Sequence, residues 1–316
     1  MVNGPLRGGE DINSWPLVLQ VDDEVTLGGK SSENSSLELS DAELTSLSNG
    51  KFGVVVPIRI EDSLDVIRTL LTRMIRVGVK ITGVRFGNEK GNNPDLNGVP
   101  LSMVEAKARK DVDEYLAQCA PFVTLVNSII TCQHIYCGVY PHPSQGSGNR
   151  FPVYKEEWTT YLDTKIAKGD AIDIHIYDQG LPDLMSEELL SDFLDLFTRP
   201  IYTIESGCKP IEDRALYKER TFAVWEMLQR VLTPKDVRGA QLLEHTKQNY
   251  GLLYKGKITE YGLKYLSIPR TSLPRIVGTP KLAFGFFGIK WWIVKLSNGH
   301  EKKIRSSTIP EAGSFA

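Results

Sequence analysis

The chain has 316 residues, 41% hydrophobic and 24% charged, with a formal net charge of −2. This is ordinary globular composition, enough for one large domain or two small ones. It contains no run of about 18 apolar residues and no basic-then-apolar leader, so an intracellular protein without a transmembrane helix is expected; four cysteines form no disulfide framework.

The net charge hides a polarity. Residues 1–50 carry two basic and nine acidic side chains, a net of −7, whereas 201–316 carry 19 basic and ten acidic, a net of +9. A basic C-terminal third points to an anionic partner, phosphate backbone or acidic lipid, or else to a solvated surface offset by the acidic end. The first 50 residues, with Gly8-Gly9, Gly28-Gly29 and the polar run Ser31–Ser36, read as a disordered acidic tail with one docked segment at 15–21.

The folded core is expected to open at Phe52–Ile60, rich in β-branched residues. Ser63–Val77 follows, an amphipathic helix with Leu64, Ile67, Leu70, Leu71, Met74 and Ile75 on one face. Val79–Phe86 is a second strand, and the loop Gly87–Pro100 comes after it. Its glycines form no phosphate-binding fingerprint. Ser102 and Glu105 fit a capping box for a helix to Gln118, and Val123–Cys132 reads as a buried strand.

Cys132, His134, Cys137 and His142 are the densest group of metal-capable side chains. Strand alternation places Cys132 and His134 on one face and Cys137 on the other, so no metal and no cofactor are expected. The same residues supply a Cys–His hydrolase reading, built on Cys132, His134 and His175. After the loop Pro141–Pro152 and a helix Lys155–Ile166, the alternation Ala171–Tyr177 turns Ile172, Ile174 and Ile176 one way. Asp173, His175 and Tyr177 turn the other way, as a catalytic Asp–His pair or, preferred here, as a solvated face. Ser186 caps a helix Glu187–Phe197.

In the basic third, helix Ala215–Leu232 precedes a helix from Thr233-Pro234 to Tyr250, a short strand Leu252–Lys257 and a helix or arm Thr259–Leu266. Asn298-Gly299 marks a hairpin between Leu282–Leu296 and Glu301–Arg305. The order over 211–266 looks like a winged-helix nucleic-acid module, with Lys247, Lys255, Lys257 and Lys264 on phosphates. Lys302, Lys303 and Arg305 form a second patch for nucleic acid or acidic lipid.

Residues 51–200 also carry a family resemblance. The strand–helix–strand opening, the strand Cys132–Tyr140, the Pro141-His142-Pro143 loop and the strand Gly169–Asp178 resemble, in order, the matrix protein of vesiculovirus-type rhabdoviruses. That resemblance implies a viral structural protein without enzymatic activity. It would self-associate and bridge nucleocapsid, nucleic acid or an acidic membrane surface during virion assembly, in host cytoplasm, nucleus or virion, with no small-molecule substrate. The family's lysine-rich tail and Pro-Pro-x-Tyr motif have no counterpart here, so its membrane-binding tail is not carried over. The expected fold is α+β, with a mixed or mainly antiparallel sheet packed with helices. It divides into the disordered tail 1–50, a core domain 51–200 and a basic helical and β-hairpin region 201–316. The alternatives are the nucleic-acid module and the Cys/His hydrolase.

Overall fold

The computed structural model describes residues 2–4, 24–27, 41–49, 53–139, 150–178, 187–203, 206–208, 211–231, 237–238, 240–241, 253–254, 257–258, 260–267, 276–286, 289–296 and 301–306. The opening segment forms as its sequence dictates. Strand β3 (Gly53–Ile58) leads into helix α2 (Leu64–Arg76), whose N-cap Ser63 accepts a hydrogen bond from the Val66 amide at 3.3 Å. Ile67, Leu70, Leu71 and Met74 are the buried stripe of α2. Each such side chain contributes about 1.5–3 kcal/mol on leaving water. Gly78, at φ +85°, ends the turn and releases the chain into β4 (Ile81–Phe86).

The strand–helix–strand unit repeats along the chain. Helix α3 (Val104–Ile129) joins β4 to β5 (Gln133–Cys137), and α4 (Arg150–Lys165) joins β5 to β6 (Ala171–Asp173). Beyond a short β7 (Ile176–Asp178), α5 (Glu187–Leu194) leads to β8 (Ile201–Thr203). A short β9 (Ser206–Cys208) precedes α6 (Arg214–Val231), which leads to β10 (Val237–Arg238) and β11 (Ala240–Gln241). Upstream, β1 (Val2–Gly4) and β2 (Glu24–Leu27) are followed by α1 (Asp41–Asn49).

The main sheet has the order β10-β8-β6-β5-β4-β3-β2-β1-β11, and every pairing in it is parallel. Its two outermost strands are separated in the chain only by residue 239. Counted as one stave, they close the order into a ring of parallel strands with connecting helices outside, a βα barrel.

The two faces of the sheet carry two cores. Val54, Val56, Ile58, Val84, Phe86 and Ile172 face the helices in a large cluster, whereas Val55, Ile135, Ala171 and Tyr202 form a small cluster inside. The Tyr202 hydroxyl on β8 donates to Gln133 Oε1 on β5 at 2.6 Å, passing over β6. That bond joins two strands that are not neighbours, across the inner face of the sheet.

The remaining strands stand apart. β7 and β9 pair in parallel beyond the ends of β6 and β8. β12 (Leu253–Tyr254) and β13 (Lys257–Ile258) form an antiparallel pair before α7 (Glu260–Ser267), and β14 (Ile276–Phe286), β15 (Ile289–Leu296) and β16 (Glu301–Ser306) form an antiparallel sheet of their own. Among the described residues, no helix is long and apolar enough to cross a membrane.

These observations correct the α+β expectation. The main sheet is parallel, not mixed or antiparallel. Residues 123–129, expected as strand, continue α3 and turn Leu125 and Val126 into the core at the spacing set by Val112, Tyr115, Cys119 and Phe122. Part of the expected helix to Tyr250 is β10 and β11. Within the expected disordered tail, β1 and β2 belong to the main sheet, and Leu44 and Leu47 of α1 are buried in the core. The sheet therefore runs across the boundaries drawn at residues 50 and 200.

Candidate functional site

In a parallel βα barrel the loops that follow the strands gather at one mouth, and side chains near the strand ends line it. Arg85 is the next-to-last residue of β4 and points to the inside, two positions after Gly83, whose Cβ position would lie 3.1 Å from Ile135. Arg85 is only 2% exposed. A guanidinium cannot shed its charge, so burial demands an anion beside it. Asp173, the last residue of β6, provides one: Arg85 Nη1 donates to Asp173 Oδ2 at 2.9 Å. Burial alone would raise the Asp173 pKa. His175 and Arg85 outweigh that and hold it below its ordinary value.

His175 completes the group. Its Nε2 lies 3.1 Å from Arg85 Nη1 and 3.2 Å from Asp173 Oδ2, and its Nδ1 lies 3.0 Å from Glu89 Oε1. The expectation of a solvated Asp173–His175 face is thus corrected: the two residues are 3% and 4% exposed, Asp173 at the end of β6 and His175 two positions beyond it. Ile172, Ile174 and Ile176 enter the outer core, so the alternation itself is as the sequence predicts.

Glu89, in contact with His175, has its side chain 43% exposed. It sits at φ +48°, a left-handed conformation uncommon for glutamate. The turn around it is built on Gly87 (φ +76°) and Gly91 (φ +84°). Gly91 lies against the buried Trp158 of α4, where a Cβ would come within 2.7 Å of the indole. On the strand side, Tyr115 of α3 donates to the Phe86 carbonyl at 2.7 Å and accepts from the Cys137 amide at 2.8 Å. The end of β4 is therefore fixed by α3 and β5, and the turn beyond it by α4.

The other described carboxylates near the strand ends are engaged differently. Glu61, after β3, is paired with Lys90 at 2.5 Å; burial opposes its ionisation, but Lys90 brings its pKa below the ordinary value. Asp178, at the end of β7, is fully buried and receives Arg220 Nη1 of α6 at 2.9 Å. Glu89 alone among these described side chains joins substantial exposure to contact with a buried histidine.

The residues singled out from sequence go elsewhere. Cys132 precedes β5, and burial pushes its thiol up to about 11, which removes the thiolate a nucleophile needs. His134, near the start of β5, has Nδ1 3.5 Å from Asp170, the residue before β6. Five residues of extended chain, roughly 16 Å, separate Asp170 from His175. The Cys132, His134 and His175 cluster therefore does not assemble. Cys137 is buried and donates to the Phe86 carbonyl at 3.1 Å, and His142 lies outside the described residues.

Among the proposed anion contacts, Lys264 on α7 pairs with Glu226 and stands 5.5 Å from the ring centre of Phe222. Lys257 is in β13, opposite Tyr254. Lys302, Lys303 and Arg305 are in β16, the strand expected after the Asn298-Gly299 turn, opposite Val294, Ile293 and Trp291. Lys247 and Lys255 lie outside the described residues. Sequence reasoning missed Arg85 and Glu89. A charged residue inside the apolar run Ile81–Phe86 was the available signal, since a buried arginine requires an anion elsewhere in the fold.

No protein-family model and no curated protein matches the chain. Among solved structures it is similar to a family GH128 (subgroup II) endo-β-1,3-glucanase from Sorangium cellulosum. The TM-score is 0.50 and the identity 15%, covering 85% of this chain and 99% of that one. This likeness is one of fold. It overturns the resemblance to a viral matrix protein, and with it the non-enzymatic assembly role and the nucleocapsid and membrane partners derived from that resemblance. The winged-helix reading of 211–266 fails as well, because its expected recognition helix contributes strands to the barrel.

Proposed function

We propose that the protein is a glycoside hydrolase that cleaves a polysaccharide at the barrel mouth, with Glu89 as its acid/base carboxylate. The observation that carries this reading is the placement of Glu89: exposed, after the end of a barrel strand, on a left-handed turn and in contact with His175. Glycosidic bond cleavage uses two carboxyl groups, one moving a proton at the leaving oxygen and one acting on the anomeric carbon directly or through water. The glucanase of similar fold makes a β-1,3-glucan the first substrate to try. Fold alone does not fix chemistry, so the assignment rests on the site.

Among the described carboxylates near the strand ends, Asp173 and Asp178 are each buried against an arginine, so neither is offered as the second carboxyl group.

The test is release of reducing ends from β-1,3-glucan and from a panel of other β- and α-glucans. Activity on one of them is expected, and Glu89→Gln should lower kcat by at least about 100-fold, the range of a lost acid/base group. No activity on any glycan, or full activity of Glu89→Gln, overturns the reading.

A further inference from the structure

The Cys137 thiol takes no part in the chemistry assigned to Glu89, yet it lies under the turn that carries that residue. Cys137 is the last residue of β5 and only 1% exposed. Its Sγ donates to the Phe86 carbonyl at 3.1 Å, and its backbone amide donates to the Tyr115 hydroxyl at 2.8 Å. Tyr115 in turn donates to the same Phe86 carbonyl at 2.7 Å, so that oxygen receives both side chains. At the other side of this peptide unit, the Gly87 amide donates to the carbonyl of Ile58, the end of β3, at 2.7 Å. The peptide that leads from β4 into the turn is thereby held by β3, by β5 and by α3.

Gly87 sits directly over the sulfur. A Cβ there would lie 3.8 Å from Cys137 Sγ and 3.4 Å from Lys90 Cγ and Cε. Gly87 takes φ +76° and Glu89, two residues on, takes φ +48°. The Asn92 amide then donates to the Glu89 carbonyl at 3.2 Å. On the outer side, Lys90 reaches Glu61, but the two side chains are 33% and 51% exposed, and a pair so open to water holds a turn only loosely. The buried contacts beneath the turn are the firmer ones. Burial pushes the Cys137 thiol up, which keeps it in the S–H form that can donate.

We propose that Cys137 is a positioning residue for Glu89: its thiol fixes the Phe86–Gly87 peptide and, through it, the left-handed turn that carries the carboxylate. The proposal rests on the reading of Glu89 as the acid/base group. A carboxyl that moves a proton must stand within hydrogen-bond reach of the leaving oxygen, and a displacement of about 1 Å can cost about 100-fold in rate. Glu89 follows Phe86 by three residues in a conformation that glutamate seldom adopts, so its place depends on the backbone before it. The sulfur supplies two things at once. It donates to the Phe86 carbonyl, and it fills the space beneath Gly87, where alanine would leave a gap and the second methyl of valine would press on the turn.

Two measurements test the proposal. The first is the kinetics of wild type, Cys137→Val and Cys137→Ser on the glycan that wild type accepts. Cys137→Val keeps the core filled but donates nothing; its kcat should fall at least about tenfold, with KM within about threefold of wild type. Cys137→Ser keeps a donor and should return kcat to within about threefold of wild type. A dinitrophenyl glycoside of the same sugar, whose leaving group needs no proton, should lose less than about threefold in kcat/KM in Cys137→Val. Wild-type kcat in Cys137→Val, equal losses on both substrates, or no recovery in Cys137→Ser overturns the proposal and leaves the thiol as core packing. The second measurement is amide hydrogen exchange, which needs no substrate. In wild type the Gly87 and Asn92 amides should exchange at least about 100-fold more slowly than in an unfolded chain. In Cys137→Val the Asn92 amide should exchange at least about tenfold faster, while Leu70 and Leu71 in α2 keep their wild-type rates. Free exchange in the wild-type turn, which is read whether or not a variant folds, overturns the proposal, as does a rise shared equally with α2. If wild type hydrolyses no glycan, the functional reading falls, and the placement of Glu89 by Cys137 is decided by the exchange rates.

Discussion

At the scale of single residues, the buried Arg85–Asp173 pair governs the behaviour of the site. Breaking such a pair from one side leaves an uncompensated charge and costs about 3–5 kcal/mol. Arg85→Met should therefore destabilise the protein more than a typical surface change, read as a lower urea midpoint. The acid dependence follows from the Asp173 pKa, which lies below its ordinary value near 3.9. A lowered folded-state pKa gives stability that is present above the unfolded value. It is lost as pH falls from about 4 through the lowered one. Wild type should lose stability steeply below about pH 4, and Asp173→Asn should be less stable at pH 7 but flatter in that window. Equal slopes for the two proteins would remove Asp173 from the account. Little of this was legible beforehand. Asp173 and His175 could be seen to share a face, but whether that face meets water or a barrel interior depends on curvature, which residue alternation does not encode. Arg85 gave a signal, whereas Glu89 sits in a loop whose glycines read simply as a turn.

At the scale of elements, the chain was most readable where a single helix face meets the sheet. The α2 stripe is the buried stripe, and Leu71→Ala should cost about 2–5 kcal/mol for the cavity it opens, measured by denaturant unfolding. Gly91→Ala should cost at least about 1 kcal/mol, because φ +84° disfavours a Cβ and the Trp158 ring has to move. A Trp158→Phe background that relieved part of that loss would support the steric cause. The strands were misread for a physical reason. A strand covered on both faces carries apolar residues on both, as Val54, Val55 and Val56 do, and the period-two signal of a half-solvated strand disappears. Strands β6 and β8 are only three residues long, too short for the repeat to be seen after residue 120. The 123–129 stretch shows the opposite ambiguity, an apolar run that fits a strand until the preceding helix is allowed to continue through Pro121.

At the scale of the whole molecule, the ring and the C-terminal sheet should respond differently to truncation. Parallel strands satisfy their backbone groups through neighbours on both sides, and a closed ring leaves no edge. Deleting residues 1–30 removes β1 and β2, which stand between β3 and β11. Two edges would then be exposed, one on β3 and one at 240–241, and the Val55 side of the barrel would lose its cover. The acidic, glycine-rich sequence of that segment suggests a dispensable tail; its place in the sheet makes it structural. The deletion should therefore give an insoluble chain or one without a cooperative thermal transition. Among the described residues, strands β14, β15 and β16, by contrast, pair with one another and not with the main sheet, whose last strand in the chain is β11. Ending the chain at residue 270 keeps every stave and α7, so a cooperative transition should persist. Activity on an accepted glycan should persist in this shorter chain too, since Arg85, Glu89, Asp173 and His175 are all retained. If the N-terminal deletion melted like wild type, β1 and β2 would not be staves of the ring. If the C-terminal truncation unfolded, the antiparallel sheet would be part of the barrel's support.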